Sequence, residues 1–329
     1  MTILSFDDVL RQTSPERCLL IGNGFNEGYG PSFKYDTLKG VMGKHLFQTE
    51  QYAEKDIEEI MLEIKENSNH VVEHIKQLFI KAITDSHPEL NSEKATHCAK
   101  FLGNFSKVFT LNYDLLLYWV INSNTQLRQK FRDGMGIPSE KRDDSWPHKL
   151  IGRQTNTYYM HGALHLFCNK TKVDIPCSKK STGGGYCTIE KLKSSGGGRV
   201  PGQGLCIAAP NRLRKQVTDN IAKGLYPRFI SEGHFGDKKK KIDPCQYLAG
   251  CYEALKNESA DIVIFGASFS NDQHILDAIN ASKLTKCFVG IYGDPESKDN
   301  SELIQKTKTL VKQNRTVQYF DSKTAPVWS

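Results

Sequence analysis

Short apolar runs alternate with stretches of helical period along this chain. Four runs, Cys18–Ile21, Val108–Leu111, Thr157–Met160 and Ile262–Phe265, are each four residues long and bounded by glycine or polar residues. That is the pattern of strands buried in a sheet. Cys287–Tyr292 and Val317–Phe320 bring the set to six. After the first strand, Glu27–Gly43 reads as a polar connection rich in glycine and aromatics. Ile57, Ile60, Met61 and Ile64 then recur at helical spacing, and Val71, Val72, Ile75, Leu78, Phe79 and Ile83 continue the stripe to Pro88. Asn91-Ser92-Glu93 is a helix-start signal, with the helix running to about Phe105. Leu115–Val120, Tyr247–Leu255, Asp272–Ala281 and Ser301–Val311 read as further helices. Cys168–Asn211, with glycine triplets at 183–185 and 196–198, reads as irregular.

Strands alternating with helices imply right-handed crossovers. The expected fold class is therefore α/β, a doubly wound, mostly parallel, Rossmann-like sheet. We expect one domain over 1–329, with a helical insertion at 40–105 and a loop-rich insertion at 168–245. A chain of 329 residues can bury a core of that size.

Charge and cysteine content narrow the function classes. The net charge is +7, spread along the chain. The one dense basic run, Lys238–Lys241, is flanked by Asp237 and Asp243 and reads as a solvated loop. Without interleaved aromatics or a basic stripe, no specific nucleic-acid partner is expected. Met1–Ser14 is polar and acidic, so no export signal is expected there, and no apolar segment approaches the roughly 20 residues that span a bilayer. The expected location is cytoplasmic, without a membrane partner. Nine cysteines are scattered singly with no Cys-x-x-Cys, which favours reduced thiols over a disulfide framework. Cys168, Cys177, Cys187 and Cys206 share one glycine-rich region but lack the close pairs that zinc sites use. Neither a structural zinc nor another metal is expected.

The chemistry gathers at the strand ends. Gly22-Asn23-Gly24-Phe25-Asn26 matches the start of a G-x-G phosphate loop, although Glu27 stands where the third glycine of the fingerprint belongs. A plain tight turn is the competing reading. Asn112 and Asp114 flank Tyr113 ahead of an apolar helix and could act as caps. His161 stands at a strand end before Gly162, where an imidazole suits proton transfer. Gly266–Asp272 opens another helix, with Ser268 and Ser270 as hydroxyl donors. In an open parallel sheet all four clusters would share one crevice.

The order of these clusters, Gly22-Asn23-Gly24-Phe25-Asn26, Thr110-Leu111-Asn112-Tyr113-Asp114, His161-Gly162 and Gly266-Ala267-Ser268, resembles the sirtuin-like nucleotide-binding fold. It looks closest to the bacterial sirtuin-like families of defence proteins and their uncharacterised relatives. Pro227–Gly233, followed by the lysine run and Tyr247-Leu248, resembles one of those uncharacterised families. The resemblance implies NAD⁺ as substrate and cleavage of its nicotinamide–ribose bond. Asn112 would place the ribose or the water, and His161 would be the general base. Asp114 would orient the nicotinamide end. Gly22, Asn23 and Gly24, with Ser268, would hold the pyrophosphate, Asp294 could take the adenosine ribose, and Phe25 and Gly266 would also belong to the cofactor site. The zinc cysteine pairs of sirtuin deacylases are missing, which turns the expectation from deacylation towards an NAD⁺ glycohydrolase. The alternatives are an ADP-ribosyl transferase and a non-catalytic NAD or ADP-ribose sensor. The same resemblance implies a homo-oligomer or an activating protein partner, and NAD⁺ depletion in anti-phage defence as the biological role.

Overall fold

A computed structural model describes residues 2–42, 69–135, 149–150, 153–169, 190–191, 210–231 and 235–329, with residues 55, 57, 60, 61, 63 and 64 between the first two segments. Its strands are β1 (Ile3–Leu4), β2 (Cys18–Ile21), β3 (Lys107–Thr110), β4 (Lys149–Leu150), β5 (Arg153–Gln154), β6 (Thr157–Tyr159), β7 (Gly162–Asn169), β8 (Glu190–Lys191), β9 (Leu225–Phe229), β10 (Ile262–Phe265), β11 (Lys286–Ile291) and β12 (Thr316–Asp321). The central sheet runs β1-β12-β11-β10-β2-β3-β6, and every pairing in it is parallel. The protein is an α/β, Rossmann-like, doubly wound fold.

Alternation along the inner strands explains why helices cover both faces. On one face Leu19, Ile21, Val108, Val263 and Phe265 join a core with the helices Phe6–Gln12, Ser92–Gly103 and Leu116–Ser123. On the other, Cys18, Leu20, Phe109, Ile262 and Ile264 pack with Gln246–Lys256 and Gln273–Ala281. All four residues of β2 and of β10 are buried, as strands covered on both faces require. From β2 the chain winds outwards through β3 and β6, and the last third winds the other way through β10, β11 and β12. The switch point therefore lies between β2 and β10, where a crevice opens beyond the carboxyl ends.

Several elements differ from the pattern reading. β1 adds a seventh strand, pairing Ile3 with Tyr319 and Leu4 with Phe320; two residues carry no readable period. Glu27–Gly43 is not a polar connection. It holds the end of a helix (Asn23–Tyr29), a 3₁₀ turn (Pro31–Phe33) and a second helix (Tyr35–Met42). The last helix before β12 starts at Lys298 rather than Ser301, because the Ser297 hydroxyl accepts the Asn300 N–H at 3.4 Å and caps it. Within 168–245 the described part includes a helix (Pro210–Ala222), β9 and a helix (Phe235–Ile242), with β9 pairing antiparallel to β7.

Cys18, Cys98, Cys245, Cys251 and Cys287 are buried and take part in no disulfide among the described residues. The side chains of Cys168, Cys177, Cys187 and Cys206, on which the zinc expectation turned, lie outside the described residues. Among the described residues no helix is long and apolar enough to cross a membrane.

Candidate functional site

The turns after β2 and β10 cross at contact distance because neither carries a side chain there. A Cβ on Gly22 would stand 2.6 Å from the Gly266 carbonyl oxygen, and one on Gly24 2.8 Å from Gly266 Cα. Gly266 itself is left-handed (φ +66°), a conformation that costs other residues roughly 1–2 kcal/mol. Hydrogen bonds knit the crossing: Gly22 N–H donates to Phe265 O at 3.0 Å and Gly24 N–H to Gly266 O at 2.9 Å. Phe25 N–H returns to Gly22 O at 3.0 Å. These N–H groups are committed to the protein, so the glycines act chiefly as a close-packing device. That corrects their expected role as a backbone cradle for pyrophosphate.

A cleft of about 400 Å³ opens over this crossing. Gly22, Asn23, Gly24, Asn112, Asp114, His161, Gly266 and Ser268 all line it. Phe25 does not. Its ring is buried, 4.8 Å between centroids from Trp328, and holds the underside of the helix Asn23–Tyr29. Asp294 does not line it either. Its carboxylate accepts the Glu296 N–H at 2.9 Å and closes the turn after β11, while Tyr292, Ser297, Asp299 and Asn300 bring that end of the sheet to the cleft.

Asn112 is placed by β3: its side-chain amide donates to Gly22 O at 3.1 Å, tying the second cluster to the first. Asp114 stands one residue before the N-cap Leu115 and accepts the Leu116 N–H at 2.7 Å on Oδ1, while Oδ2 accepts from the Asn26 amide. Burial lifts its carboxyl to about 6, against the pull of the Leu116 N–H and the Asn26 amide. Asn26 is buried in the cleft wall, and its Oδ1 has no hydrogen-bond partner among the described residues. A buried orphan acceptor costs about 1–3 kcal/mol, so its position in a cleft points to a ligand donor.

His161 sits in the step from β6 to β7, where Gly162 (φ 80°) lets the chain leave the parallel sheet for the antiparallel one. Its carbonyl accepts the Ile230 N–H at 2.8 Å, and its ring lies beside Tyr113. Its Nε2 is 2.9 Å from His274 Nε2 and 3.6 Å from Asp272 Oδ1. Burial drives the imidazole down to about 3, so it is neutral at neutral pH; Asp272 opposes that shift, and Lys238 and His274 add to it.

Lys238 corrects the reading of the basic run. The run lies on the helix Phe235–Ile242, with Lys239 and Lys240 exposed, but Lys238 is buried and its ammonium meets Asp272 Oδ1 at 2.9 Å. Burial would raise the Asp272 carboxyl, but His161, Lys238 and His274 outweigh it and hold it at about 2.

The acidic residues lining the cleft are Glu27, Asp114, Asp272 and Asp299, beside the neutral His161, with no lysine or arginine among the described lining residues. In a chain of net charge +7 that is a local reversal. Asn26, Glu27, His274, Lys238 and Asp299 were not assigned to the site from sequence. The first two could have been, because on a helix from Asn23 they share the Asn23 face while Phe25 and Tyr29 share the buried one.

Fold and cleft together define a Rossmann-like protein with a cleft at the switch point of its sheet. The chain belongs to a family described as "Domain of unknown function (DUF4917)", whose model matches residues 53–194 and 206–328. No curated protein matches the chain.

Proposed function

We propose that the protein is a sirtuin-like NAD⁺ glycohydrolase, converting NAD⁺ and water to nicotinamide and ADP-ribose. The observation that carries this is the convergence of Asn112, His161 and Asp114 on one cleft with the glycine crossing and Ser268. Departure of nicotinamide leaves oxocarbenium character on the ribose, a developing positive charge that fixed negative groups stabilise. The cleft's acidic lining suits that charge and the cationic nicotinamide ring. The pyrophosphate would be met by hydroxyl and amide groups. Ser268, Ser270 and Asn271 supply these from a loop held open by Phe269, whose buried ring sits on a left-handed backbone (φ 54°).

In this reading His161 accepts the proton from the attacking water or from a ribose hydroxyl, and Asn112 orients the group that loses it. Asn26 Oδ1 and Asp114 hold the carboxamide of nicotinamide, giving the orphan acceptor its donor. Asp299, rather than Asp294, faces the adenosine ribose. NAD⁺ depletion in anti-phage defence remains the biological role we propose with it.

The test is direct. Purified protein incubated with NAD⁺ should release nicotinamide and ADP-ribose in equal amounts, resolved by chromatography, and Asn112→Ala should lose about 10²-fold or more in rate. NAD⁺ left intact by wild type, alone and with cell extract supplying a partner, would remove the proposal.

A further inference from the structure

The two rings behind the cleft are set edge to edge. Two neutral imidazoles with their Nε2 atoms 2.9 Å apart share one proton, so one ring donates and the other accepts. Asp272 stands at the N-cap of the helix Gln273–Ala281, yet its side chain caps nothing. An aspartate there ordinarily accepts an N–H of the first turn. Here Oδ1 turns instead to Lys238, 2.9 Å away, and to His161, 3.6 Å away. His161, His274 and Lys238 are all buried.

We propose that His161 and His274 form a two-imidazole proton relay, with Asp272 as its counter-ion and Lys238 as the group that holds Asp272 in place. The proposal rests on reading His161 as the base of NAD⁺ cleavage. With Nε2 committed to His274, the atom of His161 left to accept a proton is Nδ1. The Nε2 proton then belongs to His161, and His274 accepts at Nε2 and carries its own proton on Nδ1. When a water or ribose hydroxyl is deprotonated, its O–H bond breaks and the Nδ1–H bond of His161 forms. The Nε2–H bond of His161 breaks as that proton passes to His274 Nε2. His274 becomes the imidazolium, His161 is neutral again, and the charge has moved away from the developing oxocarbenium. Burial makes each imidazole alone a weak base, lowering His161 to about 3 and His274 to about 4. Spreading the positive charge over two rings beside a carboxylate opposes that. The groups that set the charge on His161 are Asp272, Lys238 and His274, with the uncharged ring of Tyr113 on its flank. His274, Asp272 and Lys238 are positioning residues, acting through His161.

Two measurements on the full chain test this. Nitrogen-15 NMR of histidine-labelled protein should show His161 as the Nε2–H tautomer and His274 as the Nδ1–H tautomer. In pH profiles of kcat/KM, Asp272→Asn should move the acid limb to lower pH, because losing the carboxylate lowers the basicity of His161. Lys238→Met should move it to higher pH, because losing the ammonium raises it. His274→Gln, which can accept the hydrogen bond but cannot pass the proton on, should lower kcat about 10²-fold with KM little changed. Shifts in the same direction, or a reversed tautomer pair, overturn the relay. So does one equivalent of zinc bound by wild type and lost in His274→Gln, which would make the cluster a metal site. If wild type cleaves no NAD⁺, the function reading fails, while the tautomers still decide whether the relay exists.

Discussion

The indole N–H of Trp328 donates to the carbonyl of Phe25 at 2.7 Å, across 303 residues of sequence. The same ring packs on Phe25 and, edge-on, on Tyr29, with centroids 4.8 and 5.0 Å away. It is the floor of the helix whose other face lines the cleft. Trp328→Ala should therefore cost about 3–5 kcal/mol, in the range of a buried tryptophan truncation. Trp328→Phe should keep most of the packing and lose about 1 kcal/mol with the hydrogen bond. Urea unfolding measures both, and equal midpoints for wild type and Trp328→Ala would show that the floor carries no stability.

Gly266→Ala should be more damaging than its size suggests. The new Cβ would meet Phe25 N at 2.6 Å and Gly24 Cα at 2.7 Å, with a left-handed backbone besides. By contrast, Gly30→Ala meets nothing within 4 Å and is the control. We expect Gly266→Ala to lose at least about 2 kcal/mol and to lose nucleotide binding with it. A thermal melt of both variants beside wild type reads the difference; matching melts would mean that the crossing can open without penalty.

Asp299 should make the site selective against a 2′-phosphate. It is exposed on the cleft wall, in the first turn of the helix Lys298–Lys308. A carboxylate facing the adenosine ribose can accept from a 2′-hydroxyl but repels a phosphate there. NADP⁺ should bind about tenfold or more weakly than NAD⁺, and Asp299→Asn should narrow the gap. Calorimetric titration with both nucleotides decides it, and equal affinities in wild type would place the ribose elsewhere.

Acid should destabilise the fold before it protonates the carboxylates at large. His87 is buried, with Nδ1 at 3.1 Å from Pro88 O, Nε2 accepting the Leu115 N–H at 3.1 Å, and its ring 4.1 Å from Trp119. Burial lowers it to about 4 from 6.5. The unfolded chain therefore binds this proton more tightly. Stability present at neutral pH is lost as the pH falls from the unfolded value through the folded one, by about 3 kcal/mol for this ring at most. Burial of His161 and His274 acts in the same direction. Chemical denaturation at successive pH values should show the loss, flattened in His87→Gln. A pH-independent midpoint across that window would contradict it.

Sequence pattern reached the sheet because its inner strands are buried on both faces and end abruptly in glycine or polar residues. Cys18–Ile21 and Ile262–Phe265 are strands at the expected residues. It reached the common cleft because the strands are parallel, so their carboxyl ends share an edge. It missed the helix Asn23–Tyr29, since two glycines in its seven residues depress helix propensity and tertiary packing on Trp328 overrides that. It placed Lys238 in solvent because a run of four lysines carries no period, and its burial depends on Asp272, 34 residues away. Asp294 looked suitable from its place just beyond a strand, but one of its carboxylate oxygens closes the turn and the residue does not line the cleft. Such details belong to loop geometry, which alternation does not encode.

The cleft has a temporal property that follows from strand order. β2 leaves the ribosome well before its neighbour β10 and the loop that supplies Gly266, Ser268 and Asp272, which follow it by more than 200 residues. Until then the Gly22–Gly24 turn has nothing to cross, and Trp328 cannot yet support the helix above it. A prematurely ended chain lacks half the wall of its own pocket. Whatever the cleft does is withheld until the loop after β10 has been made.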